Sequence, residues 1–408
     1  MKKVYILGLL CMLPFTILGC GPNQFKNEVN KQVVDEKPSE TKENEDSKEL
    51  DEYKDYEEVD YIEWKVAGNL EAQKGQDKNI GTAGLLQGKA NDYIVVGGGA
   101  NFPEKSVLEG GPKKHYPDIY VLEEEDGILK QVNHTTLDYE IGYGSSISDE
   151  DGIYYIGGSP DKEAGNNVTL IIVDDKGNVK VDQKGDLPFT FSDGFAVKKN
   201  NFIYLGLGKQ DGKASNKIYK FDLDTKKTEE LAPMPGEPTR NQAVAQLLGD
   251  DIYVFSGGDK IAYTDGYKYN IKDNTWTQVS DVFVNGEKIS LLGASSVKLN
   301  EEEMLVIGGF NKEVYDYAVK NLGELKDEAL EDFRGKYFRA DPEEFKWNKN
   351  VLIYNAKENK WRSVGEIPFN APCGEALILD GDNIFSINGE IKPGVRTSRM
   401  YSGEIEYK

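Results

Sequence analysis

The sequence is short of the residues that most metal and redox centres need. It has two histidines, His115 and His134, and three cysteines, Cys11, Cys20 and Cys373, in 408 positions. These exclude a four-cysteine zinc site and leave no histidine cluster to hold a metal. A copper radical centre, which needs two histidine ligands, tyrosines and a cross-linked cysteine, is disfavoured on the same ground. No Gly-x-x-x-x-Gly-Lys-Ser/Thr loop is present to cradle phosphate. No metal or cofactor is expected. Basic charge is scarce: 49 Lys and Arg stand against 71 Asp and Glu, a net charge of −22. A face that neutralises nucleic-acid phosphates needs the opposite balance, so nucleic acid is excluded as a partner. The one long apolar run, Val4 to Ile17, is too short to be a comfortable membrane span.

That run has a different reading. Lys2 and Lys3 precede it and Ile17-Leu18-Gly19-Cys20 ends it, the form of an export signal over residues 1–20. A small residue directly before the cysteine looks like a lipobox, so Cys20 is the expected lipidation site, anchoring the exported chain to the membrane so that it faces the periplasm or the cell exterior. Cys11 would leave with the signal, and Cys373 alone would remain; no internal disulfide is expected. Between Gly21 and Asp60 there are 14 Asp or Glu against six Lys and few apolar residues. Such a stretch cannot bury enough surface to fold, and residues 21–58 read as an acidic tether.

The chain's abundant glycine (43 residues) and tyrosine (23) support many short strands and turns, most of them from residue 59 onward. A repeat appears: Val95-Val96-Gly97-Gly98-Gly99, Tyr155-Ile156-Gly157-Gly158, Tyr204-Leu205-Gly206-Leu207-Gly208, Val254-Phe255-Ser256-Gly257-Gly258, Val306-Ile307-Gly308-Gly309 and Ser386-Ile387-Asn388-Gly389. The last glycines are 59, 50, 50, 51 and 80 residues apart. A second apolar strand and often a later tryptophan follow, as in Asp273-Asn274-Thr275-Trp276 and Glu358-Asn359-Lys360-Trp361. A period near 50 with these marks is the kelch pattern, one four-stranded blade per repeat. The expected fold over residues 59–408 is all-β, a six-bladed kelch β-propeller. The last repeat lacks its outer strand, and Asp60 to Val66, which carries Trp64, is expected to supply it and close the last blade. The 80-residue gap holds an insertion at about 311–350, where Val314, Ala318, Leu322, Leu325, Ala329, Leu330 and Phe333 recur at near-helical spacing. It is expected as a helical excursion of blade five, ended by Asp341-Pro342, and serves equally as lid or pad.

One copy of the repeat differs. After Ile387-Asn388-Gly389 come Glu390-Ile391-Lys392-Pro393-Gly394-Val395-Arg396. A sugar mutarotation needs a base for the anomeric hydroxyl proton and an acid at the ring oxygen. Glu390 can act as acid/base, and Arg396 can hold a sugar carboxylate through two parallel hydrogen bonds. The residue types alone also fit an ion pair bracing a turn.

At this segment the chain resembles the N-acetylneuraminate (sialic acid) epimerases, or mutarotases, exported bacterial kelch propellers, and specifically their circularly permuted relatives. Asn388-Gly389-Glu390-x-Lys392-Pro393-Gly394-x-Arg396-Thr397 carries the resemblance. It is joined by Gly308-Gly309-Phe310-Asn311, Phe345-Lys346-Trp347-Asn348-Lys349, Gly206-Leu207-Gly208 and Arg240-Asn241-Gln242-Ala243. The resemblance implies catalytic roles for Glu390 and Arg396. Ser159 departs from it, standing where the family tends to have an acidic residue. Asn101, Tyr143, Arg240 and Asn311 are candidate substrate-binding residues, because loops after the glycine pairs and at blade starts face the propeller ends. Each also has a folding role open to it: a turn for the asparagines, a packed ring for Tyr143, an interblade guanidinium for Arg240. The implied function is interconversion of the anomers of N-acetylneuraminate by acid/base ring opening. The alternatives are a mutarotase for another sugar and a non-catalytic, lipid-anchored binding or adhesion protein. A small sugar and the membrane are the expected partners, and self-association is left open.

Overall fold

The computed structural model describes residues 56–236 and 239–408. The expected signal, Cys20 and all but the last three residues of the expected tether lie outside the described residues. Six four-stranded antiparallel sheets make up the body. The first runs from Ala83–Ala90 through Tyr93–Asn101 and Lys114–Glu125 to Ile128–Ile141, and the second from Ser145–Asp149 through Gly152–Ile156 and Asn167–Val173 to Val179–Asp186. The third starts at Phe195–Lys199, the fourth at Val244–Leu248 and the fifth at Ser295–Lys298. The sixth joins Ala376–Asp380, Asn383–Ile387 and Arg399–Tyr407 to Val59–Asn69 from the other end of the described chain, with Ile62 opposite Ile405 and Val66 opposite Tyr401.

The sequence pattern explains the burial. Tyr93–Asn101, Gly152–Ile156 and Glu303–Ile307 are buried along their whole length. A strand covered on both faces needs an unbroken apolar run rather than alternation. Thr275–Val279, an outermost strand, has no buried residue. The apolar clusters lie between consecutive sheets. Phe255 of the fourth packs edge-on against Tyr354 and Trp361 of the fifth, with ring centroids 4.6 and 4.8 Å away. Phe385 and Ile387 of the sixth share a cluster with Ile94 and Val96 of the first. Each such side chain taken from water contributes roughly 1.5–3 kcal/mol.

At the head of each innermost strand one residue is left-handed: Gly84, Tyr143, Asp193, Gln242, Gly293 and Gly374, with φ of 75°, 65°, 55°, 52°, 77° and 63°. Their backbones form a cycle. Tyr143 donates to Gly84 (2.7 Å), Asp193 to Tyr143 (2.8 Å), Gln242 to Asp193 (2.7 Å), Gly293 to Gln242 (3.1 Å), Gly374 to Gly293 (2.9 Å) and Gly84 to Gly374 (2.7 Å). Left-handed backbone costs a non-glycine residue roughly 1–2 kcal/mol, and each bond offsets about 0.5–1.5 kcal/mol. Beyond the cycle the innermost strands border a cavity of about 770 Å³ with Gln87, Ser146, Ser148, Gln246 and Ser296 in its wall.

Antiparallel pairing sends the connection after the second strand and the one after the fourth to the same end of every sheet. The hydrogen-bond cycle lies at that end. So does the insertion, which leaves the fifth sheet after Glu303–Ile307 and returns at Asn350–Asn355. It is two helices, Lys312–Glu324 and Asp327–Arg339, and a short 3-10 turn, Pro342–Phe345. The apolar spacing reads as one excursion, but the helix breaks at Leu325–Lys326, where both residues are extended. Asp341 and Glu344 form a reciprocal capping box around Pro342.

Candidate active site

Glu390 and Arg396 are six residues apart in sequence but directly opposite in a two-stranded hairpin, Glu390–Lys392 with Val395–Arg396. Two left-handed glycines make this possible. Gly389 (φ 98°) turns the chain out of the sixth sheet, and Gly394 (φ 84°) turns it back. The base of the hairpin is fixed by backbone bonds between Cys373 and Glu390 in both directions (2.8 and 2.9 Å) and from Gly389 to the Thr82 carbonyl (2.9 Å).

The Glu390 carboxylate accepts from the Gly394 amide at 2.6 Å, and its Oε1 lies 3.4 Å from Arg396 Nη1. The Glu390 side chain is 18% exposed, that of Arg396 only 3%. The guanidinium is covered on one side by Phe102, whose ring centre is 4.9 Å from Cζ. The accessible group is therefore the carboxylate, and the guanidinium is its orienting partner. Two neighbours clamp the hairpin. Lys392 donates to the Ala340 carbonyl at the end of the insertion's second helix (2.7 Å). A Cβ on Gly394 would lie 2.6 Å from a Val107 methyl on the loop after the second strand of the first sheet. Tyr337, from the insertion's second helix, faces the same carboxylate: burial pushes its hydroxyl above the ordinary tyrosine range, and the Glu390 charge adds to this.

The other candidates lie at the same end but do not all reach the hairpin. Asn101 is buried, donating to the Gly81 carbonyl (2.7 Å) and accepting from Tyr116 (2.8 Å). Its neighbour Phe102, which the sequence reading passed over, is the residue that touches Arg396. Arg240 is buried and bidentate to Asp265 (2.5 and 2.7 Å), with the Tyr263 ring 4.2 Å away. Asn311 caps the insertion's first helix, accepting from Val314 N–H at 3.1 Å. These three side chains do folding work. Tyr143 belongs to the hydrogen-bond cycle; its ring lies over Gly84, with the Lys113 ammonium 4.6 Å and the His115 ring 6.2 Å from it. Burial, helped by the Lys113 charge, pushes the His115 imidazole down to about 4. Asp193, next in the cycle, accepts from Lys209 and Gln242 (both 3.0 Å). Only the cycle itself, which holds Asp193 and brings His115 against Tyr143, would have revealed these two, and the sequence shows no cycle. Among the described residues no group of three or more His, Cys, Asp or Glu is placed to hold a metal ion.

A family model described as N-acetylneuraminate epimerase matches residues 185–408, which is more than half the chain and includes the hairpin. The chain belongs to the N-acetylneuraminate epimerase family. The N-acetylneuraminate epimerase of Salmonella enteritidis is 34% identical over 226 residues, covering 53% of this chain and 56% of that protein. The Yersinia pestis protein of the same name is 31% identical over 253 residues, covering 59% and 62%. The chain thus spans a little over half the length of the family relatives it matches. A solved structure titled "Structure of YjhT" is 29% identical, with a TM-score of 0.48 over 54% of this chain and 65% of that one. The matched region begins in the last strand of the second sheet, Val179–Asp186, so nearly all of the first two sheets precede it.

Proposed function

We propose that this protein is a mutarotase that interconverts the anomers of N-acetylneuraminate. The observation that carries the reading is the Glu390–Arg396 hairpin, an accessible carboxylate opposite a covered guanidinium, within the segment matched by the family model. Glu390 takes the proton of the anomeric hydroxyl as the ring carbon–oxygen bond breaks and delivers it to the ring oxygen; the open form rotates, and reclosure on the other face runs the same proton transfer in reverse. Gly394 N–H and Arg396 aim the carboxylate. Arg396 is also the group that would receive the sugar's carboxylate, through the N–H edge of its guanidinium. The scaffold is a closed six-bladed kelch propeller, supported by the six four-stranded sheets and the cycle of backbone bonds. Its blade order is circularly permuted relative to its relatives, which accounts for a match confined to the C-terminal part. Export and attachment through Cys20 place the propeller on the envelope, a reading supported by the N-terminal sequence.

The test is exchange between the anomers of N-acetylneuraminate followed by NMR, with protein, without it, and with Glu390→Gln. The wild type should accelerate exchange and Glu390→Gln should lose roughly 100-fold or more, the usual worth of a general base. Equal exchange rates with and without wild-type protein would overturn the assignment.

A further inference from the structure

One buried acid behind the hairpin has no place in the mechanism above. Glu375 follows Gly374, the member of the hydrogen-bond cycle in the sixth sheet. The residues that follow the other five members are Leu85, Gly144, Gly194, Ala243 and Ala294. The repeat therefore uses small or apolar residues there, and a carboxyl appears only in the sheet that carries the hairpin. Glu375 is 3% exposed. Neither of its carboxyl oxygens has a hydrogen-bond partner among the described residues. A carboxylate so placed is strongly disfavoured as an anion, and burial pushes this one up to about 8.

Its position is tied to the site. A Cβ on Gly389 would lie 2.8 Å from the Glu375 Cβ, and one on Gly308 would lie 3.6 Å from its Oε1. The acid thus fills a space left by two glycines, one of which precedes Glu390. The buried Cys373 thiol feels the charges of both Glu375 and Glu390, and Cys373 is the residue whose backbone bonds Glu390 in both directions. Among the described residues the Cys373 thiol is the titratable group beside Glu375, and Glu390 acts on that same thiol. From the fifth sheet, the Ser295 hydroxyl donates to the Glu375 carbonyl (3.0 Å) and Gly308 approaches its carboxyl. The first sheet's Thr82 reaches Gly389.

We propose that Glu375 is a positioning residue: a neutral carboxylic acid packed under Gly389 and Cys373 that holds Glu390 in place, and whose loss of its proton disables the site. Ionisation would put a second negative charge beside Cys373, in addition to that of Glu390, and drive the buried group toward water, distorting the base of the hairpin. This rests on the mutarotase reading, and the test separates the two. Anomer exchange is measured from pH 6 to 9.5 with wild type, Glu375→Gln and, as an apolar control of similar length, Glu375→Met. Below pH 7 the isosteric Glu375→Gln should retain more of the activity than Glu375→Met. Above pH 8 the wild type should lose activity about tenfold per pH unit, and both variants should hold theirs. A decline shared equally by wild type and variants, or a tenfold loss at pH 6.5 in both, overturns the proposal. Thermal midpoints at pH 5.5 and 8.5 give a readout independent of catalysis. The wild type should lose stability between the two pH values and the variants should not, and equal losses overturn the neutral acid. Absence of exchange in every protein at every pH would defeat the mutarotase reading while leaving the thermal comparison decisive for Glu375.

Discussion

The third and sixth sheets each send out a short hairpin after their second strand: Lys209–Gln210 with Lys213–Ala214, and Glu390–Lys392 with Val395–Arg396. Both are tight two-strand turns, but the first also pairs with Phe191–Ser192 while the second stands as two strands alone, and the surroundings of their tips differ. Around Gly212, at the tip of the first, nothing lies within 4 Å of where a Cβ would be, whereas Gly394 in the second abuts Val107 at 2.6 Å. Lys209 reaches down to Asp193 at 3.0 Å, while Lys392 is held from above by the insertion. A repeat thus produces the turn, but a site appears only where the neighbouring sheet and an insertion close over it. Precise placement of a catalytic group depends on that covering.

The largest test of this contrast is chemical. Glu390→Gln should cost about 100-fold or more in anomer exchange, whereas Lys209→Met should leave exchange within a few-fold; similar losses from both would break the contrast. Next is backbone strain, read by chemical denaturation. Gly394→Ala combines a left-handed residue with overpacking against Val107 and should cost about 2–4 kcal/mol, while Gly212→Ala should cost about 1 kcal/mol. Smaller again is Lys392→Met, which removes the bond to Ala340. It should cost roughly 0.5–1.5 kcal/mol in stability and raise amide exchange in the 390–396 backbone.

Acid stability gives the last test. The imidazole of His115 sits at about 4 in the folded protein, below its ordinary 6.5. The unfolded chain therefore binds more protons than the folded one between these values, and stability must fall as pH drops from about 6.5 to 4. His115→Gln should flatten that part of the thermal-midpoint profile without changing the part above pH 7. Glu375 acts in the opposite direction, since its raised titration removes stability as pH rises from its ordinary 4.5 toward 8. The two trends offset each other between about 4.5 and 6.5, and above 6.5 only the Glu375 loss remains, so these two groups favour mildly acidic over neutral pH.

Much of the fold was legible because periodicity is a local property. Val306-Ile307-Gly308-Gly309 reads as a buried strand followed by a sharp turn whatever surrounds it, and the shortage of an outer strand in the last repeat pointed to Trp64. Glu390 and Arg396 were legible as an exception to the repeat. The functional reading of Asn101, Arg240 and Asn311 rested on loop position, which cannot tell a side chain aimed at solvent from one turned inward. The nearest polar groups decided that: Tyr116 and Gly81 for Asn101, Asp265 for Arg240, and the first turn of a helix for Asn311.

By itself the sequence determined the strands, their repeat and the one charged hairpin, because alternation, apolar runs and glycine turns follow from neighbours along the chain. Tertiary structure decided which groups the hairpin meets. Phe102, Val107, Tyr337 and Glu375 are distant from it in sequence or ordinary in type, and they matter only because the sheets bring them within a few ångströms. Glu375 reads as one more acid in a chain with 71 of them; only its removal from water makes it neutral, since desolvation is a property of the packed molecule and not of the residue.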